Sequence, residues 1–293
     1  MVTINEWENY KKMIIKNRRY SFWHGKKKMV EKIYLDVTGD NLDFNNCKKY
    51  REKLQQIKLS KNPLMSICAD KDAVREYVKN KIGSKYLVKQ YFCKSKISEE
   101  DLNELPSSFV LKTTSGSSTN IVVKDKSKEN LKELVDVMNY YKDIKYGYLW
   151  GEFFYNKIKT KIIAEKLLTT DDIDDYKIHC FRNKGKLIQI IEVIYNTPKG
   201  RFKNMYDSNW KKLNYSFSLE STQSKKEKPK CLSKLLELSS KLSEDFNYAR
   251  IDFYIVNNKI YFGEITFVPT AGYGHFKPEK YDEIWGSYIG EEI

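Results

Sequence analysis

Cysteine and histidine are scarce, and their placement excludes more than their number does. The five cysteines, Cys47, Cys68, Cys93, Cys180 and Cys231, form no C-x-x-C pair, and the three histidines are just as scattered. A structural zinc site needs four such ligands at close spacing, so none is expected, and the cysteines read as separate, buried, reduced thiols. No run of 18 apolar residues occurs, which argues against a membrane-spanning helix. Residues 1–20 carry Glu6, Glu8 and several lysines and lack the apolar centre of a secretory signal, so a cytoplasmic location is expected. No G-x-G-x-x-G follows a strand and no G-x-x-x-x-G-K-[ST] exists, which excludes Rossmann and P-loop nucleotide sites at motif level. Internal repeats are also absent.

What is present is enough for a folded core. Hydrophobic residues make up 41% of the 293 and aromatics 14%, so disorder is excluded for most of the chain. A formal net charge of +14 gives the surface an attraction for polyanions, although the charge is spread along the chain, mainly as lysine. The densest basic stretch is residues 11–28, from Lys11 to Lys28, with Arg18, Arg19 and the run Lys26, Lys27, Lys28. Tyr20, Phe22 and Trp23 are interleaved with these cations, a composition suited to a membrane surface or a polyanion. No RNA- or DNA-binding signature accompanies it, and no nucleic-acid partner is expected.

Periodicity gives an order of elements. Residues 46–59 read as a helix. Asp70 caps a second at 71–82, stopped by Gly83, and Ser127 caps a third running to about Tyr141. Residues 108–113 and 121–124 form a hairpin around the loop 114–119. Strands follow at 160–168, 175–182 and 186–195, then a loop holding Arg201, an exposed polar loop at 221–230 and a helix at 229–246. The chain closes on a hairpin, 248–256 and 259–267, turned by Asn257 and Asn258. Helices alternating with antiparallel strands in this way give an α+β fold.

Three constellations carry chemistry. Lys112 ends a buried strand and is followed by seven small polar residues, Thr114 to Asn120. Small side chains let backbone N–H groups approach phosphate oxygens while the lysine supplies a point charge. A plain hairpin loop beside an ordinary lysine is the competing reading. Counting outward from the Asn257-Asn258 turn brings Asp252 and Glu264 to within about one pair of each other on strands that are otherwise apolar. Such a pair of hard oxygen donors favours magnesium bound together with nucleotide phosphates; outward-facing solvated acids are the alternative. The third, Glu165 at the end of an apolar strand before the acidic run Asp171, Asp172, Asp174, Asp175, offers backbone groups to a base edge and a carboxylate to a ribose.

In this order the pieces resemble the TupA-like branch of the ATP-grasp enzymes. The residues that carry the resemblance are EKLQQIKL (52–59) with Asn62, Pro63 and Leu64, ADKDAVREYV (69–78) and FVLKTTSGSSTNIVVKDKSK (109–128). DYKIHCF (175–181), YDSNW (206–210) and RIDFYIVNNKIYFGEITFVP (250–269) complete it, so that it spans roughly 45–275. The fold it implies is two α+β subdomains gripping ATP, at about 69–160 and 161–293, after a reduced, basic, helical portion at 1–68. The resemblance assigns Lys71 and Lys112 to the phosphates, with Gly116, Ser117 and Ser118 as the covering loop. Glu165, Lys166 and Leu168 match the adenine hinge. Asp175, with Asp172 as rival, matches the ribose acid, and Lys177 is a further nucleotide contact. Asp252 and Glu264 match the magnesium ligands, and Arg250 the cation beside an acyl-phosphate. Where the family usually carries asparagine two residues after the metal glutamate, this chain has Thr266.

The implied activity is ATP- and Mg2+-dependent joining of a carboxylate to an amine, through an acyl-phosphate, on a sugar or a polysaccharide precursor. Rival readings are a kinase on the same fold, a glycosyltransferase using the D-x-D of Asp172 and Asp174, and a non-catalytic polyanion-binding module. His179 reads as structural. His275, beside the metal strand, and Arg201 are candidates for substrate contact.

Overall fold

The computed structural model describes residues 4–170, 173, 175–197, 200–224 and 226–290. Its helices in chain order are α1 (Ile4–Thr38), α2 (Tyr50–Lys58), α3 (Pro63–Ala69), α4 (Val74–Ile82), α5 (Glu99–Asn103), α6 (Leu131–Lys142), α7 (Gly147–Trp150), α8 (Leu232–Leu242) and α9 (Lys280–Tyr288). Its strands are β1 (Gln90–Lys94), β2 (Phe109–Thr113), β3 (Ile121–Val123), β4 (Ile162–Lys166), β5 (Asp175–Asn183), β6 (Lys186–Thr197), β7 (Gly200–Tyr206), β8 (Ser216–Phe217), β9 (Tyr248–Val256), β10 (Lys259–Thr266) and β11 (Phe276–Lys277). Every strand pair is antiparallel, which makes the chain α+β as its sequence requires.

The chain divides into two compact units, each assembled from separated stretches: 1–33, 61–77 and 87–170 in the first, 34–60, 78–86 and 171–293 in the second. The subdomain ranges read from the sequence, about 69–160 and 161–293, were contiguous. β4, which the sequence reading put in the second subdomain, belongs to the first unit, where it pairs with β1, a short strand that periodicity does not reveal.

In the first unit the sheet order is β1-β4-β2-β3. Alternation in β2 buries Phe109, Leu111 and Thr113 on one face and leaves Val110 and Lys112 half-buried on the other. Onto the buried face α6 lays Leu134, Val135, Met138 and Tyr141, and Trp7 of α1 packs its ring 5.5 Å from that of Tyr141. The cap of α6 is not Ser127. Residues Lys126–Lys128 make a separate 3-10 turn, and the Asn130 carboxamide accepts from the Glu133 N–H at 3.2 Å. Asp70 does cap its helix, accepting from the N–H of Asp72 (2.8 Å) and Ala73 (3.2 Å), though residues 71–73 form a turn and α4 begins at Val74.

The second unit is built on the order β10-β9-β5-β6-β7. One face, carrying Ile178 and Cys180, is covered by α8 through Leu232, Leu235, Leu238 and Leu242. On the opposite face Phe181 and Tyr248 join Phe217, Phe276 and Trp285 around Tyr50 of α2, whose ring stands edge-on to all five within 6.2 Å. The stretch after Gly200, read as a loop, is an edge strand instead. β7 pairs with β6 through backbone groups, which polar residues such as Arg201 and Asn204 do not hinder. Of the cysteines, Cys68 and Cys180 are buried and the other three only half-buried, so the expectation of buried thiols holds for two.

The closing hairpin contains the feature that places the acids. Asn257 and Asn258 both take positive φ (51° and 59°), the conformation a two-residue turn between twisted strands demands. From the turn to Phe262↔Phe253 the register is regular; a bulge at Gly263 then shifts it so that Glu264 stands directly opposite Asp252. Unbulged, the count from the turn would set Gly263 opposite Asp252 and send Glu264 to the other face. A Cβ at Gly263 would lie 3.1 Å from the Asp252 carbonyl oxygen and 3.2 Å from the Tyr254 ring. Gly263→Val is therefore expected to destabilise the protein by about 1–3 kcal/mol, as overpacked sites do. Urea denaturation checks this, and an unchanged midpoint would refute the role given to the bulge.

Candidate functional site

In the first unit, cations gather around the small-residue loop. The Lys112 Nζ donates to Glu165 Oε2 at 2.7 Å. Arg75 reaches the other oxygen of that carboxylate at 3.5 Å and donates to the Val88 carbonyl at 3.0 Å. Lys71 touches the loop twice: its N–H donates to the Thr114 carbonyl (2.9 Å) and its Nζ to the Gly116 carbonyl (2.8 Å). Lys161 pairs with Asp72 at 2.9 Å, and Gln90 donates to the same carboxylate at 3.0 Å. Burial alone would raise the Asp72 pKa, but these two donors more than offset it and hold it below its ordinary value. Of the charged groups just named, with Asp70, four cations face three carboxylates, an excess that favours an anion.

The loop itself is not a slack hairpin. Thr113 Oγ1 donates to the Ser115 carbonyl (2.9 Å) and meets Thr119 Oγ1 at 2.5 Å, Ser115 Oγ lies 2.8 Å from Thr160 Oγ1, and the Thr114 hydroxyl accepts from the Lys161 N–H at 3.0 Å. The base is pinned and the tip, Ser117 and Ser118, is exposed. Gly116 is required: its φ is 84°, and a Cβ there would come within 2.9 Å of the Tyr146 ring. Of the expected hinge, Glu165 is buried against Lys112 and Arg75, the Lys166 N–H is donated to the Lys89 carbonyl at 2.8 Å, and Leu168 is half-buried in the segment that follows. Asp172 and Asp174 lie outside the described residues.

The second unit gathers the remaining predicted residues on one sheet face. Glu264, Asp252, Lys177 and Glu192 are successive partners across β10, β9, β5 and β6, and Thr266, Arg250 and His179 form the adjacent row. Arg250 grips Asp252 with two donors, Nε at 2.7 Å and Nη2 at 2.8 Å, and the same Nη2 reaches Thr266 Oγ1 at 3.1 Å and Glu264 at 3.4 Å. The Thr266 hydroxyl donates to Glu264 at 3.0 Å. Lys177 completes the arrangement, 2.5 Å from Asp252 and 3.5 Å from Asp175. Thr266 thus occupies the expected asparagine position as a hydroxyl tied to Glu264.

Burial sets the electrostatics of this row. It raises the pKa of Asp252, against the pull of Arg250 and Lys177. For Lys177 burial works the other way, lowering the pKa, but Asp252, Asp175 and Glu264 together outweigh it and the ammonium is held above its ordinary value. Arg250 is likewise fixed as a cation, since Asp252 and Glu192 overcome the effect of burial. Further along, Glu192 lies 3.2 Å from His179 Nε2 and 3.1 Å from Lys203 Nζ, while His179 Nδ1 meets the Tyr248 hydroxyl at 2.9 Å and that hydroxyl meets Tyr50 at 2.6 Å. Lys203 and Glu192 had no signal in the sequence beyond their alternation with apolar residues in strands. Burial pushes the His179 pKa down to about 4, so the imidazole is neutral and structural, as read from its place inside a strand. His275 and Arg201 are both exposed.

Four carboxylates (Asp175, Glu192, Asp252, Glu264) face three cations (Lys177, Lys203, Arg250) here, one net negative charge on a chain of +14. Among the described residues no three His, Cys, Asp or Glu side chains cluster to hold a metal by themselves. The donor set of Asp252, Glu264 and Thr266, all hard oxygens on adjoining strands, fits magnesium that takes its remaining ligands from water and phosphate.

His179 has a measurable consequence. Its folded pKa lies below the unfolded value of 6.5, so between pH 6.5 and about 4 the unfolded chain binds more protons than the native one. Stability is therefore expected to fall as pH drops through that window, by about 3 kcal/mol in total. His179→Asn should remove that segment of the pH dependence. Urea midpoints across the window check it, and parallel curves for the two proteins would contradict it.

Comparison with known proteins follows this geometry. The TupA-like ATP-grasp family model matches residues 52–290. No curated protein matches the chain in sequence. Among solved structures, D-alanine–D-alanine ligase from Helicobacter pylori is 15% identical at a TM-score of 0.45, covering 76% of this chain and 61% of that one. N5-carboxyaminoimidazole synthetase from Staphylococcus aureus, solved with ADP, is 13% identical at a TM-score of 0.47, covering 77% and 55%. The chain thus spans less than two thirds of the length of either structure. The family model takes in most of the chain, including the loop at 114–119 and both strands of the closing hairpin: the chain belongs to the TupA-like ATP-grasp family.

Proposed function

We propose that this chain is an ATP- and magnesium-dependent ligase that joins a carboxylate to an amine. The observation that carries the reading is the opposition of Asp252 and Glu264 across the Gly263 bulge, with Arg250 bonded to both. Such a group serves phosphoryl transfer, where a protein contributes mainly position and neutralisation of charge. Lys71, Lys112 and the pinned loop with its exposed Ser117–Ser118 tip supply donors for the phosphates. Glu165, Lys166 and Leu168 hold the base, and Asp175 is the ribose acid. Lys177 adds a cation at the nucleotide. Asp252, Glu264 and Thr266 would hold magnesium, which when bound neutralises the charge of the phosphate oxygens.

In the reaction a carboxylate oxygen of the acid attacks the γ-phosphorus and the bond to ADP breaks, giving an acyl-phosphate. The amine nitrogen then attacks the acyl carbon, phosphate departs and the nitrogen loses a proton. Arg250 neutralises the charge gathered on the acyl-phosphate. No protein nucleophile is needed. The family supports an acid or amine borne on a sugar, such as a uronic acid, in the assembly of a cell-surface polysaccharide.

The test is ADP release with uronic acids and hydroxylamine as the trapping amine. Release that depends on the acid, with hydroxamate formed in equal amount, is the expected result. Lys112→Met and Asp252→Asn should each lower the rate by about a hundredfold or more, as loss of a transition-state charge contact does. ADP formed with a phosphorylated product and no need for amine would assign a kinase instead.

A further inference from the structure

The first segment of α1 has a face that its own unit does not use. Trp7 and Ile14 are buried, and Asn17 donates to the carbonyls of Tyr148 (3.0 Å) and Leu149 (3.2 Å), so this side of the helix is bound down. With 3.6 residues per turn, Lys12, Lys16, Arg19 and Trp23 fall on the opposite side and Ile15 and Phe22 on its flank, with Arg18 one turn before Phe22. Phe22 is 80% exposed, Trp23 77% and Ile15 48%. Large aromatics are seldom left this open, least of all side by side. Gly25, at φ 86° and ψ 163°, breaks the helix immediately afterwards, and exposed Lys26, Lys27 and Lys28 follow. From residue 9 to residue 30 the chain carries eight cations and no acid.

We propose that this face docks on an anionic phospholipid bilayer, with Phe22 and Trp23 seated at headgroup depth and the surrounding lysines and arginines against the lipid phosphates. Charge complementarity selects the occupant. An interfacial helix needs an apolar edge rich in Trp and Phe flanked by cations, and its attraction grows with each basic residue near an anionic surface. The two rings meet edge to face, 5.3 Å apart at 87°, forming a compact wedge; a single-stranded nucleic acid would want open ring faces on which to stack. Among the described residues no helix is long and apolar enough to cross a membrane, so the contact is made at the surface. The proposal stands apart from the ligase reading, since none of these residues belongs to the nucleotide or metal groups.

The experiment is sedimentation of the full chain with vesicles of phosphatidylglycerol and phosphatidylcholine, and with vesicles of phosphatidylcholine alone. Binding to the anionic vesicles only, weakened by salt, is the expected result. Phe22→Ala with Trp23→Ala should weaken it about tenfold or more at unchanged melting temperature, because both side chains are exposed. Arg18→Glu with Arg19→Glu should do the same. The tryptophan emission should shift to the blue on binding, and Trp23→Phe should abolish that shift while keeping the binding. Failure of the wild type to sediment with anionic vesicles at low salt would overturn the proposal, as would an aromatic double variant that binds as well as the wild type. Binding of a single-stranded oligonucleotide without binding of vesicles would overturn it in favour of a nucleic acid.

Discussion

The grip of Arg250 on Asp252 is the interaction on which the second unit's site depends. The Asp252 carboxylate is buried and the Arg250 side chain only 11% exposed, and an uncompensated charge in that position would cost several kcal/mol. Two short hydrogen bonds to one carboxylate, with Lys177 on its far side, make the burial tolerable and fix where every neighbour must stand. Asp252 then offers its charge to whatever lies beyond the sheet face without being free to turn away. Thr266 and Glu264 are held by the same guanidinium, so three of the predicted ligands share one organising cation.

The same face shows how a sheet changes character along its strands. At one end Phe181 and Tyr248 belong to an aromatic cluster centred on Tyr50; two residues on stand buried His179 and half-buried Arg250; two further, Lys177 and Asp252 form an ion pair. The gradient joins an apolar cluster to an ionic one through the His179 ring, which contacts both Phe181 and Tyr248. The first unit solves a similar problem differently. Its core lies on one face of β2, and alternation alone puts Lys112 on the other face, where Glu165, itself paired with Arg75, steadies it.

Much of this was legible in the sequence because local rules govern it. The strand–loop–strand around Gly116 follows from small residues between alternating apolar ones, and the closing hairpin from Asn257 and Asn258. The pairing of Asp252 with Glu264 was legible only to within one position, since a bulge at Gly263 obeys the packing of Tyr254 and the Asp252 backbone, not the local pattern. Arg75 stood four residues after Lys71 at helical spacing and could have been found. Glu192 and Lys203 could not: each is a charged residue in an alternating strand, and only the register of β5, β6 and β7 reveals that they face His179. Ser127 and Asn130 are equally good caps by type, and Asn130 caps α6 because Lys126–Lys128 closes its own turn first.

The central claim, that the chain binds ATP together with magnesium, is tested most directly by the melting temperature with both present. A ligand at about 100 times its dissociation constant stabilises the folded state by about 2.7 kcal/mol, several degrees for a chain of this size. The account predicts that shift for the wild type, its dependence on magnesium, and its loss in Lys112→Ala and in Arg250→Ala. A melting temperature indifferent to ATP at every magnesium concentration would contradict it.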